Sequence, residues 1–595
     1  MSAERLPTLN ARRAPRIGYF LLLLLVLALP WLPINSFFIH LAQTYAYTAI
    51  AVIGLNVLLG LSGQMSLGQA GFYALGSYGS ALIALRLGWP ISISIVLGTL
   101  VATIAGALVG WFALQTRGLY LAMATMAVGF IIEIVAQRWI DLTGGAMGLT
   151  GIPEIWFESP ADPGMAFLYL AGICLLIVQI SADYVNDSFV GRKLRAVRES
   201  EVFASSVGTR VSMWRAVTFA ACAGLAGLSG ALFAHQSGYV GSDAFSIQLS
   251  ISLLIAAVIG GLGTRSGPLL GTFILIVMVE VISGIEEYGL LIYGGILLIV
   301  LVLFPKGAAG ILPLLRITRR DQKEQPLAEP QAKVKPFDMG MSGASLRVQD
   351  VTKGYSGVVA VDSVSIHVQA GTVHGLIGPN GAGKSTLINV VAGLYRAEAG
   401  SIFLDEHDIT GIPTPVRAQR GMARTFQNLQ LIDALTALEN VQLGFMNRHS
   451  VVSDFGAWWN GVDFERTEKE AAIDIMSFLG IAHLANRSPT ELSYGHRKLV
   501  ELARAIAQKP KLMLLDEPIA GLNTNEAREI SHVIRKLREL GVTILLVEHN
   551  MEFVMSICDT VSVLDYGQLI ASGTPAEIQA NERVHTAYLG KDESA

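Results

Sequence analysis

The sequence predicts two structural classes in one chain: an α-helical multi-spanning membrane domain, then an α/β phosphate-loop domain with a helical subdomain. Three observations carry this. Apolar residues make up 52% of the 595-residue chain and charged residues only 15%, against about 25% charged in soluble domains. The charge deficit is concentrated in residues 17–305, whereas 345–595 has the composition of a soluble domain. Within that second half, Gly378, Pro379, Asn380, Gly381, Ala382, Gly383, Lys384, Ser385 and Thr386 form a complete phosphate-binding loop. A chain this long exceeds one hydrophobic core. A net charge of -4 gives no basic bias, which argues against a nucleic-acid partner. Cys174, Cys222 and Cys558 lie far apart and suggest neither a disulfide framework nor a metal site.

Apolar segments fall near 17–34, 41–60, 66–86, 91–113, 119–138, 165–181, 212–235, 247–264, 269–286 and 289–305. Each approaches the roughly 20 residues that span a bilayer. Short or glycine-interrupted ones read as half-helices or re-entrant segments, which other protein must cover. Arg5, Arg12, Arg13 and Arg16 place segment 1–16 in the cytoplasm. The run that follows reads as an uncleaved first span, because Pro30 and Pro33 end it and no small-residue cleavage site follows. The phosphate-loop domain must also meet its nucleotide in the cytoplasm. Both ends on one side require an even number of spans, eight or ten.

The membrane domain is thus expected over 17–307. Its most basic interruption runs from Gly191 to Glu201 and on to Arg210 and Arg215. A short amphipathic coupling helix is expected at about 191–205, with Leu194, Val197 and Val202 on one side and Arg195 and Arg198 among the charges. The plainer alternative is an ordinary basic loop. Asn56, Gln64, Ser66, Gln69, Glu133, Gln137 and Glu280 are polar groups out of place in apolar segments. They either line a path or close internal hydrogen bonds. The clustered glycines, from Gly54 to Gly79 and from Gly260 to Gly271, suit close helix packing. Residues 308–344 carry Pro326, Pro330 and Pro336 among mixed charges and read as a flexible cytoplasmic linker.

In residues 345–595 a short apolar strand at 373–378 runs into the glycine loop, and a helix begins near Lys384. That context suits phosphate: backbone amides of 380–385 cradle its oxygens, Lys384 reaches the terminal phosphates and Ser385 ligates magnesium. A second strand, Lys511 to Pro518, ends in Asp516, a magnesium carboxylate, and Glu517, which can polarise the attacking water. A third strand, Val542 to Glu548, delivers His549 to the same edge, where ligands of such sheets bind. The expected cofactors are ATP and Mg2+.

Residues Tyr47 to Tyr78, YTAIAVIGLNVLLGLSGQMSLGQAGFYALGSY, resemble the first block of the permeases of ABC importers for branched-chain amino acids. Thr116 to Tyr120, Leu142 to Gly145, Gly148 to Pro153, the Gly191–Glu201 loop, Gly260 to Pro268 and Phe304 to Gly307 continue the likeness to the "M" type permease. In the second half, Leu492-Ser-Tyr-Gly-His496 is similar to the ABC signature, with His496 where glutamine is usual. The resemblance implies that Ser493 and the amides near Gly495 bind the γ-phosphate held by an opposite motor. It implies further that Gln427 meets both magnesium and the permease, that Tyr355 stacks on adenine, and that His549 contacts the γ-phosphate and holds the water and Glu517 in place. Ala520 to Asn523 is similar to the dimer-contact loop, and Thr574 to Gly590 to the end of the "G" type ATPase. Trp458 and Trp459 lie in the arm between Gln427 and Ser493 and suit either docking or plain packing.

The resemblance implies ATP-driven import of branched-chain or related hydrophobic amino acids across a bacterial inner membrane. The alternatives are urea, short amides or aromatic acids as substrate, or an ATP-gated protein that does not pump. The exporter pattern of about six long helices extending into the cytoplasm is not seen. The implied partners are an "H" type permease, an "F" type ATPase and an extracytoplasmic amino-acid-binding protein, with a homodimer of the fusion as the alternative.

Overall fold

The computed structural model describes residues 35–113, 118–154, 163–283, 294–295, 298, 307–310, 342–355, 357–448 and 466–589. The expected spans at 17–34 and, for nearly all its length, 289–305 lie outside the described residues, as do most of the expected linker and the arm with Trp458 and Trp459. Two compact units result: residues 1–194 with 212–322, and residues 195–211 with 323–595.

In the first unit, five described helices are long and apolar enough to cross a membrane: Ser36–Leu61, Ile91–Phe112, Leu119–Arg138, Met165–Asp187 and Val211–Ser237. The first is α-helical over Ser36–Leu55 and widens to a π-helix over Asn56–Leu61. Gln69–Leu87 is a further helix, largely buried and carrying Ser77 and Ser80. Two shorter helices, Ile247–Gly260 and Gly267–Ser283, pack together as a hairpin. At about 1.5 Å per residue the 14-residue helix falls short of a bilayer of about 30 Å. Glycine permits their contact: a Cβ on Gly260 would lie 1.9 Å from the Gly267 carbonyl oxygen, and one on Gly271 1.9 Å from that of Ala256.

The widened turn meets the loop of this hairpin. Asn56 Nδ2 donates to the Thr264 carbonyl at 3.0 Å, and Asn56 Oδ1 accepts from the Gly263 amide at 2.8 Å. One side-chain amide thus satisfies two backbone groups that lipid could not. Gln64 Nε2 donates to Ser62 Oγ at 2.8 Å and the Arg215 carbonyl at 3.2 Å, and Gln69 Nε2 donates to Ser66 Oγ at 3.1 Å. Of the polar groups noted in the sequence, Asn56, Gln64, Ser66 and Gln69 therefore close internal bonds. Glu133 is half-buried, and Gln137 and Glu280 are exposed.

The expected single coupling helix at about 191–205 is two helices, Phe189–Glu199 and Glu201–Ser206. Ser200 adopts an extended backbone and its hydroxyl caps the second helix, accepting from the Phe203 amide at 3.2 Å. This break shifts the helical phase. Leu194 and Val197 are buried as expected, but Val202 is 46% exposed and Phe203, at 1%, takes the buried position instead.

In the second unit, an antiparallel sheet has the order β4-β3-β6-β7, with β3 at Leu346–Tyr355, β4 at Val358–Val368, β6 at Ala399–Leu404 and β7 at His407–Asp408. The short ladder of the membrane unit, Leu149–Thr150 with Tyr239–Val240, supplies β1 and β2. A six-stranded sheet has the order β12-β11-β5-β10-β9-β8. Its strands are β5 Val373–Ile377, β8 Met422–Arg424, β9 Leu512–Asp516, β10 Thr543–Val547, β11 Thr560–Asp565 and β12 Gln568–Gly573. β5, β9 and β10 are buried throughout, as continuous apolar runs in a parallel sheet should be. Val547 pairs with both Leu376 and Asp516, so the carboxyl ends of these three strands finish abreast.

His374 on β5 is a polar group inside this sheet, 2.7 Å from Thr560 Oγ1 and 2.9 Å from Ser562 Oγ. Burial pushes its pKa down to about 4. The unfolded chain, near 6.5, takes up a proton that the folded chain refuses, so stability is full above about pH 6.5 and falls by up to about 3 kcal/mol toward pH 4. The melting temperature of this domain in the full-length protein is expected to drop between pH 7 and 5, and to drop less in His374→Gln. Equal drops in both proteins would contradict this assignment.

Candidate nucleotide site

The glycine loop, Asp516 and Glu517 take their places from the aligned strand ends. β5 delivers the glycine loop. Gly383 has φ of +95° and caps the helix Lys384–Val391, and a Cβ there would lie 2.3 Å from the Ala360 carbonyl oxygen. Asn380, Gly381 and Ser385 are exposed at the mouth of the loop, while Lys384 is buried. Its ammonium donates to the carbonyls of Gly378 at 2.7 Å and Pro379 at 2.8 Å. Burial lowers the Lys384 pKa, opposed by the charges of Glu517 and Asp516.

β9 ends at Asp516. Arg424, on β8, donates to Asp516 Oδ2 at 3.0 Å, with side chains 7% and 5% exposed, and to Asn389 Oδ1 at 2.5 Å. The other carboxylate oxygen, Oδ1, is buried without a hydrogen-bond partner among the described residues. Burial raises the Asp516 pKa and Arg424 opposes it. Glu517 has φ of +46°, rare for a side chain of this size, and its amide donates to the Val547 carbonyl at 2.9 Å. That turn leaves its carboxylate half-buried, where Gln427 Nε2 donates to Glu517 Oε2 at 3.0 Å.

The structure therefore joins Gln427 to Glu517, the residue that follows Asp516. The others are arranged differently. His549 is 60% exposed, its Nδ1 3.8 Å from Glu548 Oε2. Glu548 is fully buried and accepts from the Ile519 amide at 3.0 Å. Tyr355 is 41% exposed, edge-on to Tyr395 at 5.6 Å. Ser493 caps the signature helix Tyr494–Ala507, accepting from the His496 amide at 3.2 Å. A Cβ on Gly495 would lie 2.3 Å from Glu526 Oε1. Among the described residues no hydrogen bond joins Ser493 or Gly495 to the glycine loop.

Sequence reasoning missed Arg424, Glu548 and Tyr395. Arg424 stands three residues before Gln427, yet its partner Asp516 is 92 residues away. The site fits ATP with magnesium. It offers an open amide loop, a buried lysine, and a buried carboxylate oxygen that lacks a partner. With a membrane domain in the same chain, fold and site define an ATP-driven membrane transport protein.

Comparison with known proteins gives the family. The profile of the branched-chain amino acid transport system / permease component matches residues 37–301. The ABC transporter profile matches 361–520, and that of the branched-chain amino acid ATP-binding cassette transporter matches 568–594. The high-affinity branched-chain amino acid transport ATP-binding protein BraF of Pseudomonas aeruginosa is 39% identical over 255 residues, 42% of this chain and 100% of that protein. LivG of Salmonella typhimurium, with the same description, is 36% identical over 255 residues, again 42% of this chain and 100% of its own length. The lipopolysaccharide export system ATP-binding protein LptB of Escherichia coli is 34% identical over 249 residues, 42% of this chain and 98% of that protein. The ATP-binding domain alone thus resembles components of both branched-chain amino acid transport and lipopolysaccharide export systems. The profiles matching 37–301 and 568–594 both name branched-chain amino acid transport. The chain belongs to the branched-chain amino acid ABC transporter family, as a fusion of its permease and ATP-binding components.

Replacing Lys384 with alanine is expected to weaken ATP binding by about 2 kcal/mol, roughly 30-fold, the range of a charge-assisted hydrogen bond. Titration of the purified assembly with a fluorescent ATP analogue checks this. Unchanged affinity would contradict it.

Proposed function

We propose that this chain supplies one permease and one motor to an ATP-driven importer of branched-chain amino acids in a bacterial inner membrane, with its N-terminus and ATPase domain cytoplasmic and an even number of spans, eight or ten. The observation that carries the catalytic half is the convergence of the glycine loop, Asp516, Glu517 and Gln427 at one sheet edge. The permease profile over 37–301 supports the solute class.

In this reading Lys384 and the amides of 380–385 hold the phosphates, with Gly378 to Thr386 as the cradle. Ser385, Asp516 Oδ1 and Gln427 would hold magnesium, which neutralises the charge that develops on the transferred phosphoryl group. Arg424 opposes the burial that raises the Asp516 pKa inside the sheet. Glu517 polarises the water, and its bond to Gln427 ties that carboxylate to the loop expected to face the permease. His549 turns from Glu548 toward the γ-phosphate. Tyr355 stacks on adenine. Ser493 and Gly495 complete the site of an opposite motor, so at least two motors are needed. An "H" type permease, an "F" type ATPase and an extracytoplasmic binding protein are the proposed partners. A homodimer of the fusion is the second arrangement, and proteins that copurify from the native membrane distinguish the two.

Glu517→Gln is expected to lower ATP turnover by about 10²-fold or more, the contribution of a general base, while nucleotide affinity stays within about threefold. Wild-type turnover would sink the role of Glu517. Uptake of labelled leucine, isoleucine and valine is expected to fall in cells lacking this gene. If uptake changes only for urea, amides or aromatic acids, the solute assignment is wrong.

A further inference from the structure

Arg424 reaches Asp516 through one nitrogen, although a guanidinium and a carboxylate frequently meet through two parallel hydrogen bonds. Each nitrogen of this guanidinium has a separate acceptor. Nη2 donates to Asp516 Oδ2 at 3.0 Å, Nη1 to Asn389 Oδ1 at 2.5 Å and Nε to the Thr425 carbonyl at 3.3 Å. Arginine has donors and no acceptor, so Asn389 must turn the oxygen of its amide to Arg424. The guanidinium also lies over the Phe426 ring, 5.1 Å from its centroid. Asp516 and Arg424 are 3% and 8% exposed, so water competes little for these bonds and each is strengthened by the dry surroundings.

Asn389 is itself held in place. It lies on the helix Lys384–Val391 that the glycine loop opens. Its carbonyl accepts from the Leu394 amide at 2.9 Å and the Tyr395 amide at 3.3 Å, which closes the end of that helix. Arg424 stands on β8 and Asp516 ends β9. Three elements of the nucleotide site thus meet at one guanidinium. The consequence falls on Asp516 Oδ1, which the one-sided pairing leaves without a partner among the described residues. An arginine bonded to both oxygens would cover the one that a metal ion needs.

We infer that Asn389 is a positioning residue: by holding Arg424 Nη1 it keeps the pairing with Asp516 one-sided, so that Oδ1 stays open to magnesium. Without the Asn389 oxygen, Nη1 is a donor with no acceptor in a dry place, which is costly. The carboxylate already bonded to Nη2 is the acceptor that a small turn of the guanidinium reaches. Asn389 acts through Arg424 and need not touch nucleotide or metal. This rests on the proposed role of Asp516 as the magnesium carboxylate.

The test is Mn2+ titration, followed by electron paramagnetic resonance, of the full purified assembly holding a non-hydrolysable ATP analogue. Asn389→Ala is expected to weaken Mn2+ binding by about tenfold or more, the usual effect of removing a group that orients a metal ligand. Alanine favours the helix more than asparagine does, so the backbone is retained. Affinity for the analogue in the presence of chelator is expected to stay within about threefold, because the phosphate cradle is untouched. Asn389→Asp keeps the acceptor and is expected to bind Mn2+ at least as tightly as the wild type. In an Arg424→Lys background, Asn389→Ala is expected to change Mn2+ affinity by less than about twofold, since an ammonium has no fork to turn. Wild-type Mn2+ affinity in Asn389→Ala, equal losses in Asn389→Ala and Asn389→Asp, or a full further loss in the lysine background each overturn the inference. Should Arg424→Lys fold poorly, the two Asn389 variants decide alone. Asp516→Asn separates the two levels: Mn2+ binding at wild-type strength there defeats the reading of Asp516 itself, whereas its loss there with wild-type binding in Asn389→Ala defeats the role of Asn389 only.

Discussion

The chemistry of this chain depends on one alignment: three buried parallel strands, β5, β9 and β10, whose carboxyl ends finish level. Val547 is the pivot, bonded across to Leu376 on one side and Asp516 on the other. A slip of one residue would turn Asp516 to the opposite face of the sheet and carry Glu517 away from Gln427. The register is protected by apolar burial along all three strands, so the side chains that hold the sheet together also set the geometry of the proposed catalytic site.

That alignment forces charge into a dry place. Asp516 cannot leave the strand end, and Arg424 answers its charge from the neighbouring strand. Removing one member of such a pair strands the other, at about 3–5 kcal/mol. Glu548 meets the same difficulty with backbone amides; burial raises its pKa and the Ile519 and His549 amides oppose the rise. Glu501 and Arg504 repeat the pattern beneath the signature helix. Burial raises the Glu501 pKa and lowers that of Arg504 to about 10, each opposed by the other. The result is a rigid polar frame around a mobile task.

Much of this was legible in the sequence, and the unread part has a common cause. The glycine loop, Asp516 and Glu517 belong to contiguous patterns at strand ends, whereas Ser493 and Gln427 were legible only through the family resemblance. The helices Ile91–Ala113 and Leu119–Arg138 coincide with the apolar runs, because composition alone delimits them. Arg424, Glu501 and Arg504 were opaque because their partners are far along the chain, and a charge in a helical pattern ordinarily reads as a solvated face. Val202 was misread because one serine, by capping its own helix, reset the phase. Asn56 could be seen as out of place, but only the fold showed that its amide serves the hairpin loop at Gly263 and Thr264.

The account requires hydrolysis at this sheet edge to answer to solute, and the most direct measurement is ATP hydrolysis by the purified assembly in sealed vesicles with the proposed binding protein. The account predicts that leucine-loaded binding protein raises turnover several-fold over the empty protein, and that leucine accumulates in the vesicles above its outside concentration. Equal turnover with loaded and empty binding protein, with leucine only equilibrating, would contradict it and leave an ATP-gated pore.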